Sequence, residues 1–143
     1  MITTASNDPE QAARALDREH CRLKALLRLL GAATTADGLA PPLHELLALL
    51  RVHFSREEGA DGLHDIVQAR APRLAHAVAP LLREHELLVN QAEQLLACCA
   101  QALHLTTALR HDVARLIEQL RQHELRETAL LQDSLLIELG SCD

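Results

Sequence analysis

Residues 43–58 read LHELLALLRVHFSREE, and this stretch decides the fold. Its leucines, Leu46 and Leu50 among them, recur at intervals of three or four residues, which is the period of an α-helix with one buried face. If that helix continues, His53 and Glu57 lie on the same face. An ionised carboxylate in a buried face is strongly unfavourable unless it has a partner. The stretch therefore predicts a partner for Glu57 inside the core.

The composition restricts the fold class. Apolar residues make up 48% of the 143-residue chain, but aromatic residues only 1%, so the core must consist of Leu, Ala, Val and Ile side chains. Few glycines interrupt the apolar runs and β-branched residues are scarce, which favours helix over strand. The length fits one domain of ordinary size. We therefore expect an all-α protein in which residues 1–143 form a single domain.

Charge and hydropathy argue against two classes of partner. The formal net charge is −6 and the Lys and Arg residues are scattered, so no basic stripe can follow a phosphate backbone, and aromatic platforms for bases are missing. No uninterrupted apolar run approaches the about 20 residues that span a bilayer, and the start, MITTASNDPE, lacks signal-peptide features. We therefore expect no nucleic-acid partner, no membrane partner and a cytoplasmic protein, as a monomer or weak homodimer.

The four cysteines form no CxxC pair, so Cys21, Cys98, Cys99 and Cys142 are predicted to be mainly reduced thiols. Adjacent cysteines such as Cys98 and Cys99 rarely bond each other without strain. Cys142, in the tail GSCD, remains a candidate for redox work.

Helix-start and helix-stop signals divide the chain into four long helices. Asp8 and Pro9 form a capping sequence, and the proline pair at 41–42 opens the second helix. The helices are predicted at about residues 9–31, 41–58, 72–103 and 107–139. Four such helices are typical of an up-down-up-down antiparallel four-helix bundle. Pro80, inside the third helix, should kink or loosen it one turn before His85, and the 59–72 loop has room for a short helix around LHDIVQA.

Each predicted long helix has one histidine on its apolar face, and two of them add a glutamate four residues later. The six residues are His20 in the first helix, His53 and Glu57 in the second, His85 in the third, and His123 and Glu127 in the fourth. Residues at i and i+4 face the same way, about 6 Å apart along the axis. Four imidazoles and two carboxylates at one level form a poor core but a good site for two cations. Each cation would take two histidines, with Glu57 and Glu127 as bridges.

Other polar residues have simpler interpretations. A single histidine on an apolar face is usually a hydrogen-bonded core residue, and a single glutamate can extend to solvent, but six in a repeated pattern favour a metal site. Surface positions are predicted for His44, His76, His104 and His111. The glutamates that directly follow an inward residue should point away from the core, namely Glu58, Glu86 and Glu124. His64 and Asp61 lie in the loop, where a side chain could fold over one end of the site.

This order of histidines and glutamates resembles that of the hemerythrin-like family, the HHE cation-binding domains, over about residues 9–139. HFSREEGADG and HELRETALLQDSL are similar to that family's sequences around its second and fourth ligand helices. The resemblance implies a hemerythrin-like bundle with a non-haem centre of two iron ions joined by an oxo or hydroxo bridge. It makes the four histidines terminal ligands and Glu57 and Glu127 the bridging carboxylates. Manganese or zinc could load instead of iron, since affinity alone does not select iron.

The resemblance also implies a function: reaction with O2, peroxide or NO in stress response or iron handling, as a peroxidase-like, catalase-like or NO-reactive oxidoreductase. The alternatives are a non-catalytic module that senses or binds iron, oxygen or NO, and an iron–sulfur cluster repair protein. These functions share the same six ligands, so the sequence leaves them open.

The spacing of the predicted ligands differs from that of three other classes of metalloprotein. Oxygen-carrying hemerythrins have an HxxxH pair on the third helix, whereas the positions four away from His85 are Leu81 and Val89. The two irons should then have near-equivalent ligand sets, each with an exchangeable position, which favours reaction over reversible carriage. Ferritin-like bundles need ExxH on two helices and zinc hydrolases need HExxH. Neither pattern fits.

Overall fold

Four long helices build the fold of this computed structural model, which describes residues 8–142. They are α1 (Pro9–Ala32), α2 (Ala36–Glu58), α4 (Val78–Gln101) and α5 (Thr107–Leu135), while a short α3 (Leu63–Arg70) and a 3₁₀ segment (Pro72–Ala77) connect α2 to α4. No strand occurs in the described range, which confirms the all-α prediction. None of its helices combines the length and apolar character needed to cross a bilayer. Residues 1–7 and 143, which the single-domain prediction includes, lie outside the described part.

The four long helices surround one core. Each lies beside two neighbours in the ring order α1, α2, α4, α5, and the backbones of diagonal pairs do not approach each other closely. The short connections at 33–35 and 102–106 join antiparallel neighbours, which is the usual geometry of such links. The arrangement is the predicted up-down-up-down four-helix bundle.

The core has two apolar layers. The first is built from residues within 23–30, 39–54, 88–99 and 109–120. The second contains Ala13, Leu16, Leu63, Ile66, Val67, Val78, Leu81, Leu130 and Leu131. Helix α3 contributes three of these side chains and therefore closes one end of the bundle. Along α1, α4 and α5 the predicted ligands fall between the two layers, and in α2 they lie at the end of the helix, next to the first layer.

The start of α2 differs from the prediction. The helix begins at Ala36, because the hydroxyl of Thr35 accepts a backbone N–H of the first turn at 2.9 Å. Ala36 and Leu39 are buried, so the extra turn also gains apolar contact. Pro41 and Pro42 lie inside the helix rather than at its start. The cap and the burial outweigh the hydrogen bonds that the two prolines remove.

Pro80 lies at the start of α4 rather than inside it. The α-helix begins at Val78, after the 3₁₀ segment, so Pro80 lies in the first turn, where a backbone N–H has no helical partner to lose. The predicted start of this helix near Pro72, which placed Pro80 in its interior, is therefore wrong. Helix α5 ends at Leu135 rather than near residue 139, because Leu136 adopts a left-handed conformation with φ of 55°.

A disulfide joins α1 to the segment that follows α5. This segment returns along α1, where the N–H of Gly140 donates to a carboxylate oxygen of α1 at 3.0 Å. Cys142 is bonded to Cys21, so the prediction of reduced thiols is wrong for this pair. The two residues are 121 positions apart, so no local spacing could reveal the bond. Cys98 and Cys99 are free thiols, as predicted.

Candidate metal centre

The six residues predicted as ligands lie together in the middle of the bundle. Each long helix turns its apolar face inward, and antiparallel packing brings the polar positions of those faces to one level. Every one of the six is buried, at most 3% exposed: His20, His53, Glu57, His85, His123 and Glu127. The structure therefore places all six where the helical period predicts.

Five of the six, together with Glu124, form two overlapping groups, and within each group the donor atoms lie within 4.8 Å of one another; Glu57 belongs to neither group. The first group comprises His20, His53, Glu124 and Glu127. The second comprises His85, His123 and Glu127. Two of the four imidazoles belong to each group, and Glu127 belongs to both.

Glu127 and Glu57 lie between the two pairs of histidines. Glu127 contacts the Nε2 atoms of all four: His20 at 3.2 Å, His85 at 3.4 Å, His53 at 4.0 Å, and His123 at closest range. Glu57 Oε1 lies 2.9 Å from Nε2 of His53 and 3.7 Å from Nε2 of His85. Each carboxylate thus faces histidines of both groups, as a bridging ligand must.

The other ring nitrogen of each histidine faces an oxygen outside the cluster. The Nδ1 contacts are His20 with Thr128 Oγ1 at 3.5 Å, His53 with Glu19 Oε1 at 3.3 Å, His85 with Glu58 Oε1 at 3.6 Å and His123 with Glu84 Oε2 at 2.7 Å. Histidines that bind metals usually hold their second ring nitrogen by a hydrogen bond, which fixes the tautomer and the ring orientation. Three of these contacts are within hydrogen-bonding distance, whereas Nδ1 of His85 has no hydrogen-bond partner among the described residues. All four rings therefore direct Nε2 towards the cluster.

An internal repeat accounts for two of these outer oxygens. The tripeptide REH occurs in α1 and α4, and the pattern HxxRE occurs in α2 and α5, at residues 18–20, 83–85, 53–57 and 123–127. Glu19 contacts the HxxRE histidine of α2 and lies 3.6 Å from Arg56. Glu84 contacts the HxxRE histidine of α5 and accepts from Arg126 at 2.7 Å. The helical period alone does not assign Glu19 and Glu84, but the repeated tripeptide could have identified them.

The predicted orientation of Glu124 is wrong. It was expected to point away from the core, yet it is 3% exposed and its Oε2 lies 2.8 Å from Nε2 of His20. Residues three apart share a helix face, and Glu124 and Glu127 occupy the face of α5 that is turned towards α1. Glu58 and Glu86 are exposed, as predicted.

The remaining histidines do not join the cluster. The side chain of His64 is 58% exposed and lies beside Asp65, so it does not fold over the site. Apolar residues of α3 occupy that end of the bundle instead. The surface prediction is confirmed for His44, His76, His104 and His111.

Comparison with protein families agrees with this geometry. The family model described as the hemerythrin HHE cation binding domain matches residues 11–134. The chain belongs to the hemerythrin family. The matched part of this hemerythrin chain contains the whole cluster, and the family binds metal cations. Neither a comparison with curated proteins nor one with solved structures gives a match.

Burial and neighbouring charges shift the pKa values inside the hemerythrin cluster. Burial lowers the pKa of His20, but the carboxylates of Glu124 and Glu127 outweigh it and raise the pKa to about 10. Burial and the charge of His20 lower the pKa of His53. Burial, followed by the nearby Glu127, raises the pKa of Glu57 well above its usual range. Without cations, protons must therefore offset the negative charge of the buried carboxylates.

The donor set fits cations. Several inward atoms have no hydrogen-bond partner: Nε2 of His20, His53 and His123, both oxygens of Glu57 and of Glu124, and Oε2 of Glu127. Buried polar atoms are normally paired, so a cluster of unpaired donors calls for an explanation. Imidazole nitrogens and carboxylate oxygens suit iron, manganese and zinc. The hemerythrin cluster thus has the chemistry and the burial of a metal centre.

A groove of about 580 Å³ lies between α1 and α5. Glu124 and Thr128 are among the residues that line it, with Lys24, Arg28 and Arg121. The segment after α5 forms part of its wall through Gly140. One buried carboxylate of the cluster region thus borders a groove of the protein surface.

Glu84→Gln should weaken cation binding by about 10–100-fold, the usual cost of losing an oxygen that orients a metal ligand. The neutral amide cannot hold both the Nδ1 atom of His123 and the guanidinium of Arg126. Affinity for zinc or ferrous iron, measured by competition with a chelator of known affinity, checks this. Glu86→Gln, on the exposed side of the same helix, is the control. Equal affinities in the two variants would contradict the orienting role.

Proposed function

We propose that the chain is a non-haem iron protein that holds two iron ions and reacts with O2, peroxide or NO. One observation carries the proposal: two buried carboxylates, Glu57 and Glu127, each contact histidines from two separate pairs. A single cation would not require two pairs of imidazoles on opposite sides of shared carboxylates. The proposed ligands include the six predicted residues.

Iron supplies electron-transfer chemistry towards O2, peroxide or NO when it is bound. The chain contributes position and exclusion of water. Oxygens outside the cluster, such as those of Glu19 and Glu84, orient the imidazoles. The two apolar layers on either side keep bulk water from the buried carboxylates, and low local polarity strengthens every charge interaction inside the site.

The composition of α4 supports reaction rather than reversible oxygen carriage. Leu81 and Val89, the positions where a further α4 histidine could reach the site, pack in the apolar layers. The two groups of donor atoms are not equivalent, since Glu124 lies in one of them only. The argument against reversible oxygen carriage is unaffected, because it depends on the absence of a second histidine in α4 and Glu124 is not a histidine.

The test mixes the anaerobic, iron-loaded and reduced protein with O2, with hydrogen peroxide and with NO. We expect an irreversible spectral change with O2. We also expect consumption of peroxide or NO at least about tenfold faster than by the Glu127→Ala variant supplied with the same amount of iron, which corresponds to a difference of about 1.4 kcal/mol in the activation barrier. A stable oxygenated spectrum that disappears fully under argon, with no consumption of peroxide or NO, would show a reversible carrier. Binding without turnover would identify a sensing or storage module.

A further inference from the structure

The internal repeat of the site fails at one inward position. In the HxxRE pattern, the residue directly after the histidine is Phe54 in α2 and Glu124 in α5. Both side chains are buried, 2% and 3% exposed. The two halves of the cluster therefore differ in one side chain of opposite character.

Phe54 occupies its half without offering a donor atom. Its ring stacks on the ring of His85, with centroids 3.8 Å apart and an interplanar angle of 2°. It also lies edge-on to His123, with centroids 5.6 Å apart. The pair formed by His85 and His123 is thus bounded by a hydrocarbon ring.

Glu124 occupies the equivalent place beside the other pair. Its Oε2 lies 2.8 Å from Nε2 of His20, and its Oε1 lies 3.9 Å from Nε2 of His53. Neither oxygen has a hydrogen-bond partner, because the close approach to His20 is not along a hydrogen-bonding direction. Atoms that lie close without being aimed at each other are arranged like ligands that share a central ion.

A simple ion pair between Glu124 and a protonated His20 explains this arrangement less well. A phenyl ring fills the equivalent place in the other half, so packing does not require a carboxylate there. Burying a third carboxylate near Glu57 and Glu127 adds like-charge repulsion. Two divalent cations between the carboxylates would offset that charge.

We propose that Glu124 is a seventh metal ligand and that it serves only the cation on the His20 and His53 side. This inference rests on the proposed function, in that it presupposes two bound cations. The two cation positions then differ: one has two imidazoles and three carboxylates within reach, and the other has two imidazoles, two carboxylates and the ring of Phe54. Unequal positions give the two irons different affinities and different spectra.

The experiment compares Glu124→Gln with Glu86→Gln. Glu86 follows His85 as Glu124 follows His123, but it is exposed, so it is a control matched in sequence context. Each protein is loaded anaerobically with ferrous ⁵⁷Fe, and Mössbauer spectra and chelator competition are measured. We expect two quadrupole doublets of equal area in the unmodified protein. Glu124→Gln should change one doublet only and weaken one of the two binding steps at least about tenfold. Glu86→Gln should change neither.

The outcomes separate this inference from the proposed function. Failure of the unmodified protein to bind two cations would refute both. Two cations with a single doublet in the unmodified protein would overturn the inequivalence alone, and this measurement needs no variant to fold. Two cations with unchanged spectra and affinities in a folded Glu124→Gln protein would show that Glu124 is not a ligand.

Discussion

Glu127→Ala should reduce bound iron from about two ions per chain to almost none. This carboxylate contacts all four imidazoles and belongs to both groups of donors, so its removal leaves neither cation a complete set. His53→Ala should cost about one ion, because His53 belongs to one group only. Metal analysis of protein reconstituted with ferrous iron and then desalted gives both numbers.

The controls address folding and specificity. His111 is exposed, and His111→Ala should keep about two ions. Glu127→Gln preserves the side-chain volume, so metal loss in this variant with unchanged helix content reports on ligation rather than on a cavity. Retention of two ions by Glu127→Ala would refute the assignment of this residue as the bridge.

Removal of the metal should lower the thermal midpoint by about 15 °C or more. A ligand present at 100 times its dissociation constant stabilises the folded state by about 2.7 kcal/mol, so two cations contribute about 5 kcal/mol. For a chain of this length about 3 °C corresponds to each kcal/mol. Calorimetry of the iron-loaded and the chelator-treated protein, both without thiol reductant so that the disulfide stays closed, measures the shift.

Glu57→Gln is the informative variant for that experiment. Burial raises the pKa of Glu57, so its ionised form destabilises the fold as the pH rises above the usual range of a carboxyl group. The amide introduced at this position does not ionise, so the variant avoids this loss of stability. Near neutral pH the metal-free variant should therefore melt no lower than the metal-free unmodified protein. Its midpoint should respond much less to iron. A midpoint of the unmodified protein that chelation leaves unchanged would disprove coupling between site and fold.

The helical period predicted most of the bundle and six residues of the cluster. Both follow from positions that repeat every three or four residues, and a buried histidine stands out against leucine neighbours such as Leu50 and Leu120. The period did not reveal Glu124, because the face of α5 that meets α1 is wider than the stripe marked by His123 and Glu127. The difference between Phe54 and Glu124 is visible in the sequence alone, when HFSRE in α2 is compared with HELRE in α5.

Other features depended on tertiary contacts. The extra first turn of α2, which Thr35 caps, buries Leu39 in a core that all four long helices build, and most of that core is distant in sequence. The position of Pro80 in a first turn depended on the 3₁₀ segment before it. Local propensity cannot rank such alternatives, since packing routinely overrides it.

The Cys21–Cys142 bond also has a mechanical consequence. It closes a covalent ring that contains α2, α3, α4 and α5. Tension applied at the two ends of the described chain would therefore pass through the first part of α1 and then through the sulfur atoms. His20, one residue before Cys21, is the only one of the four clustered imidazoles on that path. A pulling force would unwind α1 up to the disulfide and remove His20 while the other three histidines stayed within the ring.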